Sequence, residues 1–327
     1  VIIENLVIRT DDYSILTAGA LSSIANTVLN SPRIEIGNLW LQNPPLAAYR
    51  SITGCFDTSI IEEHKHRYKS ITESILRKLV ENYDDAVVGQ SKVMKHILPA
   101  LYSQHRNARK RPVVLLFLGD SGIGKTETAK YISDVLGERL VRIQCSMQQT
   151  NIAYQYIFGG EHNQNSMARD LIRRTSNVIL LDEFDKVHPQ FYNAFYQMFD
   201  EGKYVDSSYE VDVSKCVFIC TSNFQSRTEA EKQLGKPILS RFSEVVIFEP
   251  LSAESKMRIV DNALETYISK LSKADRKIME EKNGTKSIRA EFENVIKRGG
   301  GYGNIRMLKN DIENAINYKM LEWKGLL

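Results

Sequence analysis

The pattern of apolar and polar positions divides the chain into three parts, of which the middle one is the most regular. Between residues 87 and 250, short, continuously apolar runs alternate with segments of helical spacing. Runs without polar alternation are typical of strands buried on both faces of a parallel sheet. The pattern therefore predicts an α/β fold with a central parallel sheet covered by helices. The predicted strands are VVLLFLG, LVRIQC, NVILLDEF, KCVFICTSN and EVVIFEP.

The flanking parts have different patterns. Residues 1–58 combine a β-like run (VIIENLVIRT), a helical stretch of small residues (LTAGALSSIANTVL) and a Pro pair, and they suggest no chemistry. Apolar residues at helical spacing predict a connecting amphipathic helix in residues 59–85. After residue 250 only helical patterns follow, which predicts a small helical domain. The predicted regions are thus 1–58, 59–85, 86–250 and 251–327.

Composition narrows the class of protein. With 327 residues, 43% hydrophobic and 25% charged, the chain can bury a sizeable core. The net charge of +3 is too small to indicate nucleic-acid binding by itself. The four cysteines fit no zinc spacing, and three of them lie in apolar runs, so we expect reduced thiols of a cytoplasmic protein.

The termini and the histidines add few constraints. No apolar run approaches the length of a membrane helix, and the N-terminus lacks the order of charges of a signal peptide, so we expect no membrane partner. The chain begins without Met, which leaves open that it is a fragment. None of the six histidines has a partner at metal-ligand spacing, and no Ser-His-Asp or Cys-His constellation indicates a hydrolase of that type.

The stretch GDSGIGKT carries the clearest chemistry. It follows a predicted strand and precedes a predicted helix, which is the context that a phosphate-binding P-loop requires. Its glycines, with Gly119 first, let the backbone N–H groups point at phosphate oxygens, Lys125 would reach the β- and γ-phosphates, and Thr126 would place its hydroxyl on Mg²⁺. The residues predicted to contact ATP here are Ser121, Gly122, Ile123, Gly124, Lys125, Thr126 and Glu127.

Polar residues follow two other predicted strands. In VILLDEF, Asp182 is placed to hold Mg²⁺ through its water shell, and Glu183 to polarise the water that attacks the γ-phosphate. In KCVFICTSN, Asn223 could orient that water. The alternatives are a solvated strand end for the acids and a residue that merely turns the chain for Asn223.

The order of these motifs resembles the AAA+ ATPases, and specifically the ATPase module of the Clp family of protein unfoldases and disaggregases, in its second-module form. The resemblance covers roughly residues 86–251 and is most specific in DEFDKVHPQFYNAF. It implies an AAA+ core followed by a helical lid, ATP and Mg²⁺ as ligands, and a hexameric homo-oligomer. The other matching segments are VVGQSKVMKHILPAL, FLGDSGIGKTETAKYISDVLG, FICTSNF and ILSRFSEVVIFEPLS.

The resemblance also implies roles for four further residues. Val87 and Val88 correspond to the segment whose backbone contacts adenine. Arg241, in ILSRF, occupies the position of an arginine finger that reaches the γ-phosphate in the neighbouring subunit, and Arg306, in GNIRML, resembles the sensor arginine of the lid. A surface ion pair is the alternative for each arginine.

Two segments depart from the Clp pattern. In NIAYQYIFGGEHNQNSMARD, Tyr156 and Phe158 could line a substrate-gripping pore loop or pack against the core. The segment FQSRTEAEKQLGKPILS holds no clear version of the loop that docks on a peptidase, so we expect no Clp-type peptidase partner. The basic runs QHRNARKRP and HKHRYK leave nucleic-acid contact open, although a solvated helix face is the favoured interpretation.

Two functional hypotheses follow. The first is an ATP-hydrolysing protein that remodels or unfolds a protein partner as a ring-shaped oligomer. The second is an ATP-dependent assembly switch or scaffold whose hydrolysis is activated by a partner, in a nucleic-acid-related or effector complex. Stimulation by unfolded proteins in general favours the first, and stimulation by one specific protein favours the second.

Overall fold

The N-terminal part of the chain forms a small unit of its own in the computed structural model, which describes residues 1–29, 34–106, 111–147, 151–299 and 302–327. Strands β1 and β2 pair in parallel, from Ile2 opposite Glu35 to Ile8 opposite Leu41. Three helices cover one side of this pair around the buried side chains of Tyr13 and Leu21. The elements are β1 (Ile2–Ile8), a 3₁₀ turn (Asp12–Ile15), α1 (Ala18–Ser22), α2 (Ile24–Leu29), β2 (Glu35–Leu41), α3 (Leu46–Thr53) and a 3₁₀ turn (Thr58–Ile60).

The predicted connecting helix is largely wrong. Residues 61–72 are not helical, and α4 (Glu73–Glu81) begins only after Thr72, whose side chain caps it by accepting a hydrogen bond from the Ile75 N–H. Between Ile61 and Ile71 the sequence offers no apolar side chain except that of Tyr68, so a helix there would have no face to bury. The basic run HKHRYK therefore lies in a segment that is neither helix nor strand, and α5 (Tyr83–Ala86) leads into the core.

The middle region contains the expected alternation of strands and helices. Its elements are α6 (Val93–His105), β3 (Val113–Leu118), α7 (Lys125–Leu136), β4 (Val141–Gln144), α8 (Asn151–Phe158), α9 (Met167–Ile172), β5 (Val178–Asp182), α10 (Tyr192–Glu201), β6 (Lys203–Val205), β7 (Glu210–Asp212), β8 (Val217–Thr221), α11 (Arg227–Leu234), α12 (Lys236–Leu239) and β9 (Glu244–Ile247). Single 3₁₀ turns lie at Cys145–Met147, Phe184–Lys186 and Pro189–Phe191. Residues 107–110 of the run QHRNARKRP lie outside the described residues.

A five-stranded parallel sheet with the order β4-β5-β8-β3-β9 is the centre of the fold. All residues of β3, β5 and β8 are buried, as their continuously apolar sequences predict. Separate apolar clusters cover the two faces of the sheet. The parallel sheet with helices on both faces confirms the predicted α/β fold class. Because the strands are parallel, their carboxyl ends meet at one edge of the sheet.

Four helices follow the sheet and form the predicted helical region. They are α13 (Ala253–Lys270), α14 (Lys273–Glu281), α15 (Gly284–Lys297) and α16 (Ile305–Trp323), and they surround an apolar cluster of their own that includes Val260, Leu264 and Ile312. None of the helices in the described residues has the length and apolar character needed to span a bilayer. The proposed domain boundaries at 58, 85 and 250 stay a prediction.

The four cysteines are free thiols. Cys220 lies inside β8, whereas Cys145 follows β4 and Cys216 precedes β8, and all three are buried. Burial raises the pKa of each of these thiols. Cys55 is exposed.

Candidate nucleotide site

A glycine-rich loop joins β3 to α7 at the carboxyl edge of the sheet. Gly119, Gly122 and Gly124 have φ values of 124°, 79° and 113°, a region that side chains other than glycine rarely adopt. At Gly119 the space is also closed, since a Cβ would lie 2.6 Å from the carbonyl oxygen of Phe248. The loop ends at the N-terminus of α7, where Lys125 and Thr126 occupy the first two positions and the unpaired N–H groups favour anions.

Lys125 is folded into this loop. Its Nζ donates hydrogen bonds to the carbonyl oxygens of Gly119 and Asp120 and to Oδ1 of Asn223, 3.3 Å away. The side chain is only 7% exposed, and burial lowers its pKa to about 8 against the opposing influence of Asp185 and Asp120. The ammonium has neutral oxygen partners, and anionic phosphate oxygens would stabilise its charge further.

The two acids follow β5 in a tightly bonded arrangement. Oδ1 of Asp182 accepts a hydrogen bond of 2.5 Å from the Thr221 hydroxyl, which itself accepts a bond of 3.0 Å from the Glu183 N–H. Oδ2 of Asp182 accepts bonds from Nε and Nη2 of Arg142, at 3.0 and 2.5 Å. Oε2 of Glu183 accepts a bond of 2.8 Å from Nε2 of Gln144.

Three residues that the sequence analysis did not single out therefore hold the acids: Arg142, Gln144 and Thr221. Gln144 and Thr221 end β4 and β8, the strands on either side of β5. The carboxyl ends of neighbouring parallel strands meet at the same sheet edge, so the polar residues after VRI and FIC were available as a signal. To predict from these polar residues that Gln144 and Thr221 hold the acids, one would need to know the order of the strands in the sheet. The apolar pattern does not supply that order.

Asp185 is a further acidic residue that the sequence analysis did not single out. Its side chain is 5% exposed, and Oδ2 lies 3.2 Å from Nζ of Lys186. Its Oδ1 has no hydrogen-bond partner in the part of the chain that the structure describes. A buried carboxylate oxygen in this position suits a hydrated cation, because it needs a donor or a positive charge.

The segment before α6 lies between the loop and the helical region. Val87 is buried, and a Cβ at Gly124 would lie 3.0 Å from its Cγ1, whereas Val88 packs against the apolar cluster of the helical region. Gln90, which sequence reasoning did not select, donates from Nε2 to the carbonyl oxygens of Ile123 and Glu249 at 3.1 and 2.9 Å. The side chain of Gln90 therefore connects this segment to the glycine-rich loop.

The helical region touches the loop through the start of α16. The N–H of Ile305 donates to the Gly122 carbonyl oxygen at 3.3 Å, and Asn304 caps the helix by accepting a bond from the Arg306 N–H. Arg306 is exposed, and its charge contributes to lowering the pKa of Lys125. The structure therefore places Arg306 near the loop.

Arg241 is engaged within its own chain. Its Nε donates to Oδ2 of Asp200 at 2.8 Å, and its guanidinium lies 4.1 Å from the centre of the Tyr196 ring. The side chain is 25% exposed. This geometry is that of a surface ion pair, and it leaves the role across a subunit interface as a prediction.

The predicted substrate residues lie on α8 and pack inward. The hydroxyl of Tyr156 donates to Oδ2 of Asp170 at 2.6 Å, and its ring packs against the core, as does that of Phe158. The exposed apolar side chains of this helix are those of Ile152 and Tyr154, at 73% and 59%. Of the two alternatives for Tyr156 and Phe158, the structure therefore has the one in which both rings pack against the core.

Comparison with known proteins gives the family. Residues 110–297 match the model of the AAA domain (Cdc48 subfamily), which is more than half of the chain. The chain belongs to this family. It is an AAA+ module similar to those of Clp chaperones, as the order of motifs predicts.

Two chaperone proteins named ClpB are similar to the chain over part of their length. The chain is 31% identical to chaperone protein ClpB of Helicobacter hepaticus over 62% of its length, and 26% identical to ClpB of Clostridium tetani over 82%. It spans 26% and 33% of the lengths of those two relatives.

Two structures of Hsp104 share the fold, each with a TM-score of 0.53. One is the ADP complex from S. cerevisiae, 24% identical, with 59% of this chain and 39% of that chain covered. The other is a closed-state reconstruction with ATPγS and FITC casein, 20% identical, with 82% of this chain and 53% of that chain covered.

Proposed function

We propose that this module binds ATP with Mg²⁺ at the loop between β3 and α7, hydrolyses it, and uses the cycle to remodel a protein partner within a ring of like subunits. The observation that carries the proposal is the meeting of Lys125, Asn223, Asp182 and Glu183 at one sheet edge beside that loop. Phosphoryl transfer needs a phosphate cradle, a metal holder and a water positioner, and these residues supply all three.

The residues fit a hydrated magnesium ion. The hydroxyl of Thr126 and the carboxylate of Asp182 are hard oxygen donors, and Asp185 adds a carboxylate oxygen without a protein partner in the described residues. Mg²⁺, when bound, would neutralise charge on the β- and γ-phosphates. Lys125 would exchange its carbonyl acceptors for phosphate oxygens, a stronger, charge-assisted interaction.

Glu183 and Asn223 would then act on the attacking water. Asn223 lies within hydrogen-bond reach of Lys125 and so close to the γ-phosphate position. Glu183 is the base that would accept the proton, but its carboxylate is held by Gln144 and must turn to do so. Arg241 would complete a neighbouring site only after leaving Asp200 and Tyr196.

A protein substrate is supported by the names of the relatives, which are chaperones, and by the casein in one Hsp104 structure. For the contact with substrate we propose Ile152 and Tyr154, because they are the exposed apolar side chains of α8. Exposed aromatic side chains suit contact with an extended polypeptide of any sequence, because their large apolar area does not require a specific partner. This replaces Tyr156 and Phe158, whose rings are packed.

One observation favours the second hypothesis, a partner-activated switch. The catalytic groups are restrained in the chain alone: Asp182 by Arg142, Glu183 by Gln144 and Arg241 by Asp200. A partner or neighbouring subunit that breaks these bonds would activate hydrolysis. Low turnover by the isolated chain and a large increase with one specific protein would support it.

The test is ATP turnover per subunit over a wide range of protein concentration, with Arg241→Ala mixed into the wild type. We expect turnover per subunit to rise with concentration and the variant to lower it more than by dilution, because Arg241 acts in the neighbouring site. Arg227→Ala changes an exposed arginine at the start of α11 and is the control. Turnover of its mixtures with the wild type should be the simple average of the two proteins. Turnover that is independent of concentration, together with simple averaging by Arg241→Ala, would contradict the ring mechanism.

A further inference from the structure

The carboxylate of Asp182 is already paired with a cationic side chain, that of Arg142. Two nitrogen atoms of Arg142 donate to its Oδ2, at 3.0 and 2.5 Å, and the Thr221 hydroxyl donates to its Oδ1 at 2.5 Å. Both carboxylate oxygens therefore have a donor from the protein itself. The same guanidinium also donates to Oε1 of Gln144 at 3.0 Å, and Gln144 holds Glu183.

The two partners of this ion pair differ in their access to water. The Asp182 side chain is 9% exposed and that of Arg142 is 50% exposed. A buried carboxylate without a partner is costly, so Asp182 requires a cation or donors at all times. A half-exposed arginine, in contrast, can turn its guanidinium into water with little loss of hydration.

A hydrated Mg²⁺ held by Thr126 and Asp182 would compete with Arg142 for the Asp182 carboxylate. The waters of the ion would donate to Asp182, and the guanidinium on Oδ2 would then share this carboxylate with a divalent cation. Repulsion between like charges that share one carboxylate is considerable inside a partly buried site. One of the two cations must move, and only Arg142 can move into solvent.

We propose that Arg142 is the resident counter-ion of Asp182, which Mg²⁺ displaces when magnesium and nucleotide bind. Arg142 is in this view a positioning residue that sets how much magnesium the site requires. It keeps the Asp182 carboxylate oriented before loading, and its release frees Gln144 from one of its bonds. The inference rests on the proposed magnesium site at Asp182.

The test measures the magnesium concentration that gives half of the maximal increase in ADP affinity, by calorimetry. Arg142→Met removes the competing charge, so we expect this concentration to fall on the order of tenfold, the size of one charge-assisted interaction. Arg142→Lys keeps a cation and should return towards the wild-type value. Arg139→Met, an exposed arginine three positions earlier, should behave as the wild type.

ADP affinity in EDTA should be the same in all four proteins, since the competition requires the metal. An unchanged or higher magnesium requirement in Arg142→Met would overturn the inference. Asp182→Asn distinguishes failure of the proposed metal site from failure of the proposed role of Arg142. If it leaves the magnesium requirement unchanged, the proposed metal site itself is wrong. If Asp182→Asn changes it and Arg142→Met does not, only the role of Arg142 is wrong.

If Arg142→Met does not fold, the displacement of Arg142 can be tested in the wild type by NMR, from the exchange of its Nε–H with water. With ¹⁵N-labelled arginine, the Nε–H signal of Arg142 is assigned by its absence from the Arg142→Lys spectrum. We expect protection from exchange with water in the free protein and with ADP in EDTA, because Asp182 accepts from this group. Protection should be lost with Mg²⁺ and ADP, and a signal that stays protected would overturn displacement.

Discussion

At the scale of single residues, the side chain of Thr221 connects the two acids of the site. Its hydroxyl donates to Asp182 and accepts from the N–H of Glu183, so one side chain fixes the relative position of both acids. The backbone at Glu183 has φ 57°, an uncommon conformation for a residue with a side chain. The bond from its N–H to Thr221 stabilises that conformation.

Thr221→Val tests this role with a side chain of the same shape. The buried Asp182 loses a donor, so we expect the free energy of unfolding to fall by about 1–3 kcal/mol. The acids lose their common anchor, so turnover should fall roughly a hundredfold, the usual effect of a misplaced catalytic group. Urea unfolding and ATP turnover measure the two effects. Thr221→Ser retains the hydroxyl and should stay close to wild type, and equal losses in both variants would contradict the role of the hydroxyl.

The sequence predicts some of these residues and not others, for a physical reason. Lys125, Thr126, Asp182 and Glu183 lie in contiguous motifs whose chemistry depends on local order along the chain. Arg142 acts only because β4 lies beside β5, a relation between segments that are distant in sequence. A periodicity analysis predicts that both strands exist but not that they are neighbours.

At the scale of elements, the two ends of α8 have different expected roles. Its exposed start is proposed to contact substrate, and its C-terminal end packs against the core. Tyr204 and Ser207, on and after β6, bond to the end of α8: the Tyr204 hydroxyl donates to the Ile157 carbonyl oxygen and the Ser207 N–H to that of Phe158. The helix is therefore anchored at its C-terminal end. Ile152 and Tyr154, near its start, remain exposed.

Tyr154→Ala and Tyr156→Phe separate substrate contact from packing. Tyr154 is exposed, but its ring lies 4.8 Å from that of Phe158, so its loss should lower the free energy of unfolding by about 1 kcal/mol. It should also abolish most of the stimulation of turnover by an unfolded protein. Tyr156→Phe loses the bond to Asp170 and should cost about 1 kcal/mol with stimulation retained. Turnover with and without casein, together with thermal unfolding, measures both effects. The reverse pattern would restore Tyr156 as the substrate residue.

The elements that sequence analysis predicts well are those with an unbroken apolar pattern. In β3, β5 and β8 each position is buried, so the apolar pattern alone predicts that these segments are buried strands. Residues 61–72 have no such pattern, and their conformation depends on contacts with distant residues. The N–H of Lys69 donates to Glu138, and the guanidinium of Arg174 lies 4.5 Å from the Tyr68 ring.

At the scale of the whole molecule, the N-terminal unit is attached to the ATPase core beside α9. Asp11 forms ion pairs with Arg173 and with the buried Arg169. His162 bonds to the Tyr13 carbonyl oxygen at 3.1 Å, and the N–H of Leu46 donates to the Ser208 carbonyl oxygen at 2.8 Å. The N-terminal unit therefore contacts residues 162–173 and residue 208. These residues are near in sequence to α8 and to Ser207, which bonds to the end of α8, so the N-terminal unit lies near the proposed substrate helix.

Asp11→Asn should loosen this attachment. Arg169 is 5% exposed and would lose its only acidic partner among the described residues, whereas Asp11 itself is 77% exposed, so we expect a loss of only about 1 kcal/mol. Hydrogen exchange should become faster in the N-terminal unit and in residues 160–174. Asp12→Asn has the same change in charge and is the control. Equal exchange in both variants would show that Asp11 does not hold the unit.

The contact between Ile305 and Gly122 places one end of α16 on the glycine-rich loop. In mechanical terms α16 is a lever: its 19 residues span about 28 Å, and its far end carries Trp323. A tilt of about 10° at the loop would move that end by about 5 Å, by the same helix geometry. Trp323 packs beside Gly284 at the start of α15, so its fluorescence can report a tilt of α16 relative to α15.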